Sequence, residues 1–359
     1  MEEVRVTPAG PGDLEPFVDL GPALRAGDAD YSTPLRASAL AELRAGPGPG
    51  GALQPFLAVR GTVPVGRVAA LLHPALEEVP GRPLGQVGYY ECADDPAAAA
   101  ALLAAACAWL RGRGAGRAVG PMNGGAHRSC LLLTEGFGTE PHLLEPRTPP
   151  RYLAHFEAAG FAPVHRWTAH EPSRAQLEAL VTSLRRIARR APLRAAALDE
   201  RDPAAVLPRL HRLLDRAWAG YPGYVPFPFE EFARTFGGLL LLLPPGHLQV
   251  VMDGAGRDLG FGYMLPDWFA PVRALRGDPA GWGRWLSDPP PDRVVLHSVA
   301  VVPEARQGAA AAALVVAGCE VALQAGYRRF LLARTREEFR SPVRRLPATR
   351  RYALCGRAL

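Results

Sequence analysis

The stretch Val294–Leu332, VVLHSVAVVPEARQGAAAAALVVAGCEVALQAGYRRFLL, decides the reading of this chain. An apolar run carrying His297 passes through Pro303 and Arg306 into an alanine-rich segment, and a second apolar run follows. The order is strand, helix, strand: a βαβ unit. The helix start leaves unpaired N–H groups, and the positive end of the helix dipole stands behind them. Phosphate oxygens are attracted there without any particular side chain.

On these residues the stretch resembles the GNAT N-acyltransferase superfamily, whose members hold the donor pyrophosphate between strand and helix. The family pattern is Arg or Gln, two residues, Gly, one residue, then Gly or Ala. From Arg306, Ala309 and Ala311 stand at the small-residue positions; from Ala305, Gly308 and Ala310 fall in place but the leading Arg is lost. Each Ala adds a methyl where phosphate would approach, while favouring the helix by up to about 1 kcal/mol per Gly replaced. The resemblance implies a cradle for acetyl-CoA or another acyl-CoA lined by Arg306, Gln307, Gly308, Ala309, Ala310 and Ala311. It further implies that backbone N–H groups around Val299 and Val301 polarise the thioester carbonyl. His297 stands where many members carry a carboxylate base; its ordinary pKa near ~6.5 suits proton acceptance at neutral pH.

The runs RAVGPMNGGAHRSCLLLTEGF and LEPRTPPRYLAHFEAAGFAPVHRW resemble the first half of bacterial proteins with two GNAT-like domains in tandem, through Gly120, Pro121, Met122, Asn123 and Pro149–Phe161. Trp218, Tyr224, Pro226, Glu231 and Phe232 resemble the early part of a second domain. The expected fold is therefore α/β, two tandem GNAT-like domains, each a mixed central sheet flanked by helices. Residues 1–172 form the first, 173–192 a helical connector and 193–359 the second, which holds the donor site.

Local patterns predict strands at Val4–Thr7, Gln86–Cys92, Arg117–Pro121, His247–Met252 and Leu259–Leu265. They predict helices at Pro11–Leu24, Ala97–Arg111, Arg174–Arg190, Pro203–Trp218 and Phe229–Phe236, and a hairpin joining Phe56–Arg60 to Val65–Leu72. Asp94 and Asp95 precede the helix at Ala97 and repel a pyrophosphate, so the first domain is expected to lack ordinary CoA binding. The long segment Pro266–Arg293, with Trp268, Phe269, Trp282 and Trp285, reads equally as a lid or acceptor wall and as cover for the domain partner.

Composition agrees with two globular domains: 359 residues, 48% hydrophobic and 21% charged. All basic side chains are Arg, and the net charge of +6 favours acidic partners such as CoA phosphates or an acidic acyl carrier protein. No interleaving of basic and aromatic residues supports nucleic-acid binding, and Arg185, Arg186, Arg189 and Arg190 read as an exposed helix face. Cys92, Cys107, Cys130, Cys319 and Cys355 lack metal-ligand spacing, so no metal is expected. The N-terminus shows no signal pattern and Leu239–Leu243 is too short to span a bilayer, which predicts a cytoplasmic protein without membrane segments.

Other reactive groups carry less. The segment Arg334–Arg345, where relatives place a helix tyrosine that returns a proton to the thiolate, contains no Tyr; Tyr352 lies on the expected closing strand. Phe156 stands at the tyrosine position of the first domain, Tyr152 nearly a turn earlier, and Glu91 reads as a remnant base or a capping side chain. His127, Ser129 and Cys130 have no acidic partner nearby in sequence. The leading expectation is acyl transfer from acyl-CoA, or from a carrier protein, to the amine of a small metabolite. The rival is a noncatalytic GNAT-fold binding or scaffold protein.

Overall fold

The computed structural model describes residues 2–198, 202–281, 283–287, 291–306, 308–339 and 341–359. Trp282 and Gln307, both singled out above, lie outside the described residues. The first half runs β1 (Val4–Pro8), α1 (Leu14–Leu24), α2 (Arg36–Ala45), β2 (Ala52–Arg60), β3 (Val63–Val79), β4 (Arg82–Cys92), α3 (Pro96–Arg111), β5 (Arg117–Gly120), β6 (Leu132–Glu135), α4 (Pro150–Ala158) and β7 (Ala162–His170). The connector is α5 (Arg174–Ala188). The second half runs β8 (Arg194–Ala197), α6 (Pro203–Trp218), α7 (Phe229–Leu240), β9 (Leu248–Met252), β10 (Asp258–Pro266), α8 (Phe269–Ala274), β11 (Arg293–Val301), α9 (Ala310–Gln324), β12 (Arg329–Arg336) and β13 (Arg350–Ala358).

The expected helices and strands appear near their expected bounds. β6, β8 and α2 did not stand out, because their runs are short or weakly patterned. After β12 the segment that contains no Tyr forms a 3₁₀ turn, Pro342–Arg345.

Each half is an antiparallel meander ending in a parallel pair, β4 with β5 and β11 with β12, crossed by an apolar helix. In α3 and α9 alanine lowers the helical cost, and the buried stripe Leu102, Leu103, Ala106 and Leu110, or Leu314, Val315, Cys319 and Ala322, drives docking onto the sheet. The halves join into one sheet of order β1-β2-β3-β4-β5-β13-β7-β12-β11-β10-β9-β8, with β6 on β13 beside β5.

The middle of that order is an exchange. β13 inserts between β5 and β7, inside the first half, while β7 leaves that half's β5 to pair with β12 of the second. The seam is filled by Trp167, Tyr352, Leu354, Leu133 and Met122. The Trp167 indole N–H donates to the Tyr221 hydroxyl at 2.8 Å, tying the seam to the second half.

A buried polar layer crosses the same seam. Arg350 is 1% exposed; its Nη2 donates to the Glu140 carbonyl at 2.6 Å and lies 2.8 Å from Glu171, and its Nε stands 3.2 Å from Glu145. The Tyr352 hydroxyl donates to Glu145 at 2.6 Å. Arg293, also buried, donates through Nε to Asp267 at 2.6 Å and through Nη2 to the Pro141 carbonyl. A further clamp joins Arg128 and His127 to Glu231 of α7, at 2.6 and 3.2 Å. His127 therefore has an acidic neighbour, supplied by the fold from 104 residues away, but Arg128 holds the same oxygen.

Hydrogen bonding to His127, with Arg128 adding its charge, pulls the Glu231 carboxyl from 4.5 down to about 2. Its bound proton is therefore held more weakly in the folded protein than in the unfolded chain. The contribution is complete above about pH 4.5 and is lost as pH falls towards 2. Replacing Glu231 with Gln is expected to flatten the stability slope across that window, read from urea midpoints at stepped pH. An unchanged slope would show that the clamp contributes nothing.

Candidate functional site

In the second half the two parallel strands separate. β11 and β12 pair from Arg293↔Arg329 to Leu296↔Leu332, and β12 next pairs with β7 at Thr335↔Thr168. On its other edge β11 bulges against β10: Tyr263 faces Ser298 and Met264 faces Leu296, so His297 is the extra residue. The bulge turns that residue toward the gap. Val302 N–H donates to the Leu259 carbonyl and Phe261 faces Ala300, so strand alternation aims the backbone groups of Val299 and Val301 at the edge β12 has left. One of them is in use, since Arg306 Nε donates to the Val301 carbonyl at 3.4 Å.

His297 is held at both nitrogens. Arg334, with φ of 38°, sends Nη2 to within 3.1 Å of Nε2. A guanidinium can only donate, so Nε2 offers its lone pair and Nδ1 carries the hydrogen. Nδ1 lies 2.7 Å from the Tyr263 hydroxyl and 3.0 Å from the Ser298 hydroxyl, and the Tyr263 ring stacks on the imidazole. Burial, then the Arg334 charge, holds His297 well below the usual histidine range, so the ring is neutral at neutral pH. Protonating Nε2 in this arrangement would set two cations 3.1 Å apart.

The start of α9 is open to a ligand from its own chain's point of view. Ala309 is the N-cap and offers no side-chain hydrogen bond; Gly308 is exposed, while Ala309 and Ala310 are buried and Ala311 partly so. Arg306 points elsewhere: Nη2 donates to the carbonyls of Ala217 and Ala219 at 2.8 and 2.9 Å, capping the end of α6. Ala188 at the end of α5 and Leu193 pack into the cluster of Ala310, Ala313 and Leu314. Exposed Arg189 and Arg190 thus sit at the same end of α9 as its free N–H groups. Arg328 and Arg329 lie beyond the opposite end of this 15-residue helix, about 22 Å away, and pair with Asp292 and Glu140.

The first half has the same architecture with its openings filled. β4 and β5 part after Gln86↔Val119, and the segment 121–124 enters the gap: Met122 N–H donates to Val87, Asn123 Oδ1 accepts from Tyr89 N–H at 2.6 Å, and Gly124 N–H donates to Gln86. Gly88 is required there, since a Cβ would lie 2.3 Å from the Met122 carbonyl oxygen. Asp95 caps α3, accepting from Ala98 N–H at 3.1 Å while Arg60 binds its other side. Glu91 accepts the Tyr152 hydroxyl at 2.5 Å with Arg25 at 3.7 Å, and Phe156 is core.

The segment Pro266–Arg293 folds in part into α8, and Trp268 packs on Trp285 at 4.8 Å, in a cluster that includes Leu143 of the first half. Arg334, Tyr263 and His142 escaped the sequence reading. Only Tyr263 left a trace there, as an aromatic on the strand paired with His297's strand; Arg334 comes from β12 beside β11, and His142 from the segment between β6 and α4 of the first half.

No protein-family model matches the sequence. The chain is 29% identical over 286 residues to a bacterial ceramide synthase of Caulobacter vibrioides, covering 77% of this chain and 73% of that protein. It is 28% identical over 281 residues to protein YghO of Escherichia coli, covering 76% and 71%. Among solved structures, a tandem GNAT protein from the clavulanic acid biosynthesis pathway superposes over 99% of this chain and 98% of its own, with a TM-score of 0.51 and 16% identity. A probable N-acyltransferase from Enterococcus faecalis covers 100% of this chain and 73% of its own, with a TM-score of 0.56 and 10% identity. The likeness extends across both halves.

Proposed function

From the premise that this chain has the tandem GNAT fold, we propose that its second half is an N-acyltransferase site that moves an acyl group from an acyl-CoA to a primary amine. The observation that carries the reading is the asymmetry between halves. β11 and β12 part at a bulged His297 just ahead of a helix start without a side-chain cap, whereas the matching openings of the first half hold Asn123 and Asp95. Donor phosphates lie on the N–H groups of 309–311, beside Gly308, whose own N–H donates to the Ala305 carbonyl at 3.1 Å, with Arg189 and Arg190 alongside, and the thioester carbonyl meets the N–H groups of Val299 and Val301. The likeness to a ceramide synthase favours a long-chain amino alcohol as the acceptor and a fatty acyl group as the cargo. No helix among the described residues is long and apolar enough to cross a membrane.

The test is calorimetric titration with CoA, acetyl-CoA and palmitoyl-CoA. A Cβ at Gly308 meets only the Ala305 carbonyl oxygen, at 3.4 Å, and the backbone is not left-handed, so Gly308→Ala fits and serves as control. Gly308→Asp adds a carboxylate at the cradle and is expected to weaken CoA at least thirtyfold, about 2 kcal/mol. Equal affinities in the two variants would remove the donor from this helix start. The noncatalytic reading has two observations in its favour: Arg334 spans the gap and Arg306 is committed to α6. Absence of saturable binding to all three donors would select it over the acyl-CoA site.

A further inference from the structure

We propose that the acceptor end of this cleft is built by both halves, and that His142 of the first half takes the proton from the attacking amine. The inference rests on the acyl-transfer reading above and names the base within it.

His142 is 1% exposed. Its Nδ1 lies 2.9 Å from the Leu143 carbonyl oxygen, which can only accept, so Nδ1 carries the hydrogen and Nε2 presents a bare lone pair. That lone pair has no hydrogen-bond partner among the described residues. A buried acceptor left unmade costs about 1–3 kcal/mol, and such an orphan in a well-bonded region calls for a function. His297, the other imidazole here, has its lone pair covered by a guanidinium.

The segment bearing His142 is fixed over the second half's cleft. Leu143 N–H donates to Asp267 at 2.8 Å, and the Leu144 backbone faces His297. Leu144 is held at φ of 63°, a left-handed conformation costly for a branched residue, with half its surface exposed. Arg334 acts on both histidines, and burial followed by the charges of Arg334, Arg350 and Arg293 holds His142 well below the usual range. The ring is therefore neutral at neutral pH, and a proton taken up at Nε2 is held weakly and passes on at once.

The step balances simply. The amine nitrogen forms a bond to the acyl carbon, the carbonyl electrons shift to oxygen and return, and the C–S bond breaks with its pair leaving on sulfur. The N–H proton passes to Nε2 and then to solvent, and the thiolate regains a proton from solvent. Amide and free CoA thiol result.

The experiment uses the full chain with palmitoyl-CoA and sphinganine, following release of CoA thiol in wild type, His142→Ala and His142→Gln. The expected result is a kcat lower by about 10²–10⁴-fold in both variants, a palmitoyl-CoA Kd within twofold of wild type, and partial recovery of His142→Ala by added imidazole. A His142→Gln enzyme with kcat within twofold of wild type overturns the proposal and leaves acyl transfer standing. Failure of the wild type to bind any donor overturns acyl transfer itself. If sphinganine is not turned over, or the variants do not fold, ¹⁵N-histidine spectra of the donor-bound wild type decide. An Nε2 resonance of His142 that moves when sphinganine is added supports the assignment, and one that stays fixed sinks it.

Discussion

A chain ending at Thr349 is expected to lose the fold of its first half, although the deleted residues are the most distant from it in sequence. β13 contributes Tyr352, Ala353, Leu354 and Cys355, all 3% exposed or less, between β5 and β7. Burying each large side chain is worth about 1.5–3 kcal/mol, and a whole domain has only about 5–15 kcal/mol to lose. Deletion also strips the ladder from β5 and β6 on one side and β7 on the other, leaving open edges that invite aggregation. Hydrogen exchange with mass spectrometry would be the measurement. Protection should vanish from β5, β6 and β7 and persist longest in β9 and β10, which lie far from the seam. Full protection of β5 in the truncated chain would contradict the exchange of strands.

The second large effect is expected at Asp267. Its carboxylate accepts from Arg293 Nε at 2.6 Å and from Leu143 N–H at 2.8 Å, with the side chain almost wholly enclosed. Replacing it with Ala removes the closest carboxylate of the Arg293 guanidinium, itself 3% exposed, and leaves it the Pro141 carbonyl and the longer contacts to Glu140 at 3.3 Å and Glu171 at 3.7 Å. Breaking one partner of a buried pair costs up to about 3–5 kcal/mol when the remaining charge is left alone, and Glu140 and Glu171 offset only part of that here. Urea unfolding of Asp267→Ala should show that loss. The double variant Asp267→Ala with Arg293→Met should recover much of it, since no lone charge then remains. A double variant no more stable than the single one would mean that the loss comes from the freed Leu143 segment instead.

How far the fold was legible can be followed through individual residues. Strand, turn and alanine-rich helix around His297 were readable because their cues are local: apolar runs, Pro303, and alanine's low helical cost. The filled start of α3 was readable for the same reason, since Asp95 and Pro96 are adjacent cap residues. Arg306 was not. It reads as a phosphate ligand, and its bonds to Ala217 and Ala219 come from a helix nearly ninety residues earlier. The acidic partner of His127 was hidden in the same manner.

The sequence by itself determined the α/β class, the tandem repeat of meander, helix and strand, and the place of the uncapped helix start. These follow from periodicity and propensity, which act between residues a few positions apart. Tertiary structure alone decided that β13 closes the first half, that Arg334 meets His297, and that His142 and Leu144 stand over the second half's cleft. Those outcomes depend on which strand edge each closing segment satisfies and on charges brought together from opposite ends of the chain. Such pairings are set by the free energy of the whole packed seam, and no local pattern encodes them.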